Sequence, residues 1–175
     1  MAVLVDDAVA GPTANSFISV AWADGFFDAS IYGTSWAALT PDLKSQAVIS
    51  ATRWLSTLRY QGAPTTASQA LPWPRVGVVD RMGRSVGSMV IPPDLQAATA
   101  ELARSLSLAP DPLLPSATAG VESVKAGSLE VHFATGMGAA SAGAELPDVV
   151  WAYLAPWILP GGGGTALTTV PLLRV

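Results

Sequence analysis

Along residues 40–60 the apolar side chains return at steps of three and four: Leu43, Ala47, Ala51, Trp54, Leu55 and Leu58. That spacing predicts an amphipathic helix with one face turned to a core. Thr40 suits the N-cap, Pro41 the first helical position, and Asp42 the positive end of the helix dipole. Lys44, Ser45, Arg53, Ser56 and Arg59 take much of the remaining surface, and Gly62 is placed to close the helix in the left-handed conformation. A second stripe, Leu95, Ala98, Leu102 and Leu106, follows Ile91-Pro92-Pro93-Asp94 and predicts a helix that ends by Pro110. Upstream, Ile18, Ala21, Trp22, Gly25 and Phe26 are helically spaced, with Asn15, Ser16 or Ser19 as the cap. If Ser19 is the cap, that helix runs from Val20 to about Ser30. Residues 32–39 read as a turn with a short helix. Val150, Trp151, Leu154 and Trp157 mark a last helix over 147–159, ended or strained by Pro156.

Between these helices the pattern changes. Prolines at 64, 72 and 74 and glycines at 77, 83 and 87 forbid a long helix over 62–90. Residues 75–79 and 85–90 are short enough to be strands about a turn at 80–84, so a small hairpin or an ordered loop is expected. Residues 107–120 have linker composition. Residues 121–133 alternate in polarity and break at Gly127, which predicts a strand pair or one bent strand. Ala2–Val5 can pair as a strand, and residues 134–146 are rich in glycine, alanine and serine. Gly161–Gly164 reads as a hinge before a β-prone tail, 166–175. The expected fold is therefore mainly α: a small helical bundle in 1–160 with a short β-hairpin or strand element, and an extended C-terminal arm in 161–175.

Composition sharpens this picture. The chain is 50% hydrophobic and only 13% charged, against a usual charged share of about 25%. Mean hydropathy is +0.42, yet no run reaches the ~18 apolar residues of a membrane span. Two compatible explanations stand: an alanine- and glycine-rich composition that raises the mean without large side chains, or burial against other chains. Net charge is −4 with nine basic residues, the opposite of the basic stripe that phosphate binding favours. Without cysteine, disulfides, thiolate catalysis and cysteine zinc sites are excluded. No basic region precedes an apolar core at the N-terminus, so the chain reads as cytosolic when made.

Catalytic chemistry finds no foothold. His132 is the only histidine and lies in an alternating stretch, while the acids are scattered. Asp24 and Asp28 stand four apart, a spacing of like charges that suits a solvated face. Gly161–Gly164 lacks the lysine that a phosphate loop requires. No enzyme activity, cofactor or metal is expected. Arg75, Arg81 and Arg84 form the one basic concentration, fit to touch DNA phosphates, to pair with acids of a neighbour or to be solvated. In Gln69-Ala70-Leu71-Pro72-Trp73-Pro74-Arg75, two prolines hold one indole rigidly, either to pin the loop to its own core or to anchor a partner. The expected partner interface is Trp73, Arg75, Arg81 and Arg84, with Leu167, Val170, Leu172, Leu173 and Arg174 of the tail. That tail is expected to hide against its own body or to add as a strand to another protein.

Several strings occur in a telling order. Ala14-Asn15-Ser16-Phe17-Ile18-Ser19-Val20 precedes an aromatic-rich helix, and Ala51-Thr52-Arg53-Trp54-Leu55 lies late in the long one. The Gln69–Arg75 string, Asp80-Arg81-Met82-Gly83 and Ile91-Pro92-Pro93 follow, then Ala100-Glu101-Leu102-Ala103 and the stretch 124–131. Over residues 14–160 this resembles a tailed-phage family often labelled DnaT-like single-stranded DNA-binding, whose members resemble head–tail connector (adaptor) subunits. The resemblance implies a structural virion protein that forms a ring of about twelve copies below the portal. Such a ring joins capsid to tail, contacts the portal and the next neck or tail-completion protein, and lets double-stranded DNA pass. It implies location in the virion neck, and in the host cytoplasm during assembly, without a membrane partner. A single-stranded DNA-binding accessory protein is the alternative; Trp54, Tyr60 and Trp73 near Arg53, Arg59 and Arg75 would serve it.

Overall fold

A computed structural model describes residues 4–108, 123–126, 129–132 and 146–159. The chain forms two units, one built from the described residues 4–108 and 146–159 and the other holding 123–126 and 129–132. The first unit contains α1 (Val20–Asp28), α2 (Gly33–Ala37), α3 (Pro41–Ser56), α4 (Pro93–Leu108) and α5 (Asp148–Leu154). Two short strands, β1 (Ala63–Pro64) and β2 (Arg75–Val76), lie between α3 and α4. The second unit contains β3 (Ser123–Ala126) and β4 (Leu129–His132), an antiparallel pair in which Val124 faces Val131 in register and Ala126 faces Leu129. The mainly helical fold with a small antiparallel β element agrees with the sequence pattern, and 123–126 and 129–132 form a strand pair. The arm, 161–175, and its residues Leu167, Val170, Leu172, Leu173 and Arg174 lie outside the described residues.

Helix α4 is the centre of the first unit. Leu95, Ala97, Ala98, Thr99, Ala100, Glu101, Leu102 and Ala103 are all buried, so the helix is covered on nearly every side. Alanine makes this feasible, because small side chains let α3, α5 and α1 approach the backbone. Thr99 returns its hydroxyl to the Leu95 carbonyl at 2.7 Å, and Glu101 takes the Arg104 guanidinium at 3.1 Å, so neither buried polar group is orphaned.

Helix α3 begins as expected, with the Thr40 side chain accepting from Leu43 N, Pro41 in the first turn and Asp42 beside it. Its inner face keeps Ala47, Ala51 and Leu55 of the expected stripe but differs in part. Val48, Ile49, Thr52 and Leu55 face the core with Ala47 and Ala51, whereas Leu43 and Trp54 are 49% and 37% exposed. Thr52 was hidden from a hydropathy pattern by its hydroxyl, which accepts from Phe17 N inside the protein. The helix also stops at Ser56, where the Thr57 hydroxyl bonds back to Trp54 O at 2.7 Å. Gly62 is left-handed, φ +69°, but lies beyond the helix end and does not close it. A Cβ there would lie 2.2 Å from the Val76 carbonyl oxygen, so glycine is needed for the approach of two loop segments.

Ser19 caps α1 by accepting from Trp22 N at 3.1 Å, which decides among the three candidate caps. The buried face of α1 is Ala23 and Phe27; Ala21 and Gly25 are exposed, one step round from the expected stripe. Phe27 packs on Trp36 of α2 with ring centroids 5.1 Å apart. Asn15 instead fastens the N-terminal loop: its Oδ1 accepts from Asp6 N at 2.8 Å and its Nδ2 donates to Leu4 O. Among the described residues, 4 and 5 form no strand. No helix among them is long and apolar enough to cross a membrane.

Candidate interaction site

The site grows from the proline-rich string. Gln69 folds it: Oε1 accepts from Thr66 N at 2.9 Å, and Nε2 donates to the carbonyls of Leu71 and Pro74. The Trp73–Pro74 peptide bond is cis. Trp73 is turned inward, 1% exposed, edge-on to Tyr60 at 5.6 Å and to Trp157 at 5.8 Å. The Tyr60 hydroxyl donates to Leu55 O, and burial raises its pKa well above the usual phenol range. Residues 157–159 run beside 59–61: Gln61 N donates to Trp157 O and Leu159 N to Arg59 O, each at 2.9 Å. One aromatic joint thus ties the end of α3, the string and the chain after α5.

Arg75 completes the joint. Its guanidinium donates to the carbonyls of Gln61 (2.6 Å), Gly62 (2.7 Å), Pro72 (3.0 Å) and Tyr60 (3.4 Å). No carboxylate faces it among these bonds, and burial lowers its pKa. Trp73 and Arg75 were expected at a partner surface; the fold uses both inside the subunit. The loop pairing differs as well. β2 pairs with β1, Ala63 opposite Val76, rather than with residues 85–90. The expected hairpin survives as a single bridge, Val79 to Ser85, with Val86 N on Val78 O.

Arg81 and Arg84 stand on the tip of that hairpin. Asp80 builds the turn: one carboxylate oxygen accepts from Met82 N and Arg84 N, the other from Arg84 Nε at 2.7 Å. These bonds, those from Arg84 foremost, hold the Asp80 carboxyl below its usual pKa. Gly83 supplies the positive φ, +75°. Arg84 remains 74% exposed beyond its pair with Asp80. Arg81 reaches the Ala152 carbonyl of α5 and lies 3.6 Å from Asp94 at the start of α4. Around them Val79, Met82, Met89 and Val90 are 45–79% exposed, a cluster of large apolar side chains on one loop. Beneath it a cavity of about 340 Å³ is lined by Met82, Val86, Val90, Pro92, Pro93 and Trp157, with both arginines, Asp80 and Asp94 at its edge. Of the predicted interface residues, the structure therefore brings Arg81 and Arg84 together at a surface groove. Sequence reasoning did not assign Met82, Val90 and Trp157 to this site: Met82 stands alone among charged residues and glycine, and Trp157 reads as part of the last helix.

The family described as "putative DnaT-like ssDNA binding protein" matches residues 1–175. The chain belongs to this family. No curated protein and no solved structure matches it. The geometry bears on the DnaT-like description directly. Two of the aromatics that stacking of bases would use, Tyr60 and Trp73, are 3% and 1% exposed, and Arg75 beside them is bonded to four carbonyls. Trp54 is half-exposed on α3, with Arg53 and Arg59 also exposed. Among the described residues no group of three or more histidines and acids could hold a metal ion.

Proposed function

We propose that the chain is a structural virion subunit, a head–tail connector (adaptor) that assembles as a ring below a portal. In this reading about twelve copies close by head-to-tail contacts. The ring meets the portal on one side and the next neck or tail-completion protein on the other, and double-stranded DNA passes through it. The subunit works in the virion neck after assembly in the host cytoplasm and performs no catalysis. The observation that carries the reading is the inward use of Tyr60, Trp73 and Arg75: the most distinctive string of the chain shapes the subunit. What the loop 79–90 presents outward is apolar surface flanked by Arg81 and Arg84, the make-up of a protein contact. An acidic chain also suits DNA transit, since a basic lining would retain the duplex.

A second reading, single-stranded DNA binding, is carried by the family match, whose description names that activity and does not mention connectors. Trp54 with Arg53 and Arg59 is the surface that would serve it. Fluorescence anisotropy with a labelled oligothymidylate at physiological salt separates the two. The connector reading expects no saturable binding below about 10 µM, the range of non-specific contacts. Tight binding that weakens steeply with salt and is lost in Trp54→Ala would establish the second.

A further inference from the structure

The groove beside the 80–84 turn is mostly apolar and open at the surface. The nearly buried Trp157 forms part of its lining. The remaining wall is aliphatic or proline, from Met82, Val90, Pro92 and Pro93. Such a site suits an extended peptide with branched aliphatic side chains.

The chain itself supplies one. The described fold ends at Leu159, two residues after Trp157, and Pro160-Gly161-Gly162-Gly163-Gly164-Thr165 lead to Ala166-Leu167-Thr168-Thr169-Val170-Pro171-Leu172-Leu173-Arg174-Val175. Six connecting residues span at most about 20 Å, so the groove of the same subunit lies within reach. Leu167, Val170, Leu172 and Leu173 match the aliphatic wall, and Arg174 is the only charge among residues 160–175. Asp94 at the rim is 37% exposed and only loosely held by Arg81, so it can take that cation. We propose that residues 166–175 dock into the groove of their own subunit, their aliphatic side chains on its apolar wall and Arg174 beside Asp94. The proposal does not depend on the connector reading.

The absence of cysteine gives a direct test in the full-length chain. Val90→Cys is combined in turn with Leu167→Cys, Val170→Cys, Leu172→Cys and Leu173→Cys, and disulfide formation under mild oxidant is followed by non-reducing electrophoresis. Leu43→Cys with the same partners, on the far end of α3, measures random collision of the tether. At least one Val90 pair should close within the monomer more than tenfold faster than every Leu43 pair. A second groove position, Met82→Cys, should behave alike, and adding Val90→Asp to it should slow closure about tenfold. Equal rates at Val90 and Leu43, closure insensitive to Val90→Asp, or disulfides only between two chains would overturn the proposal. The last result would assign the segment to a neighbouring copy.

Discussion

The Arg75 guanidinium donates to the Gly62 carbonyl at 2.7 Å, joining residues 13 apart in the chain. The same side chain holds the carbonyls of Tyr60, Gln61 and Pro72, so the loop leaving α3 and the proline-rich string are fixed by one cation. Charge-assisted bonds of this kind contribute roughly 1.5–3 kcal/mol each at best, and they are not additive. Arg75→Ala should therefore destabilise the subunit by about 3 kcal/mol, since it leaves one buried and three partly buried carbonyls without this donor. Arg75→Lys should recover only part of that, lacking the planar fork. Urea denaturation of both variants measures it; a loss below about 1 kcal/mol for alanine would contradict the clamp.

Gly62 provides a second test of the same joint. An alanine there meets both a positive φ and a Cβ 2.2 Å from backbone oxygen, whereas Gly77 has φ +72° and open space around it. Gly77→Ala should cost about 1 kcal/mol for the left-handed conformation alone. Gly62→Ala should cost clearly more, about 2–4 kcal/mol, because strain and a backbone clash combine. Equal thermal midpoints for the two variants would show that the close approach to Val76 is not rigid.

The faces of α3 and α4 predict a graded series. Leu55 and Leu102 are 0% and 3% exposed, so Leu55→Ala and Leu102→Ala should each cost about 2–5 kcal/mol. Leu43→Ala and Arg84→Ala, both at exposed positions, should each stay within about 0.5 kcal/mol. Chemical denaturation of the four variants checks the order, and a large loss at Leu43 would mean that the helix is rotated from its described setting.

Asp24 couples the helical end of the unit to pH. Partial burial raises its pKa, but Lys44 Nζ at 2.8 Å and the Trp36 indole N–H at 2.7 Å more than offset this and leave it lowered. A lowered folded-state value stabilises the protein above the unfolded carboxylate pKa of about 3.9, and this contribution fades as pH falls through the folded value. Asp24 is 43% exposed, so the pair is worth no more than about 1 kcal/mol. Asp24→Asn should lower stability by that amount at pH 7, and the gap should close as pH falls through the lowered folded-state value. A gap independent of pH, read from urea midpoints, would remove the ionic contribution.

Much of the architecture was legible because helix ends carry local chemistry. Thr40-Pro41-Asp42 and Ile91-Pro92-Pro93-Asp94 mark the starts of α3 and α4 within two residues. The inner faces were harder. Thr52 is polar by composition and buried with its bond to Phe17 N, while Trp54 is apolar and half-exposed, so hydropathy placed Ala47, Ala51 and Leu55 correctly and missed these two. The site was least legible. Arg75 resembles a surface cation until four carbonyls, brought together by the fold rather than by sequence spacing, surround it. Arg81 and Arg84 could be assigned to a turn from Asp80 and Gly83, but nothing local told that Trp157, more than seventy residues on, would line the groove beneath them.

The proposed function rests on assembly, and negative-stain electron microscopy of the purified chain mixed with a candidate portal protein tests it most directly. The account predicts rings coaxial with the portal, seated on one end of it and absent when a portal lacking its tail-side surface is used. Portal rings left bare beside a dispersed or two-fold dimeric protein, with single-stranded DNA instead bound tightly by the same preparation, would contradict it.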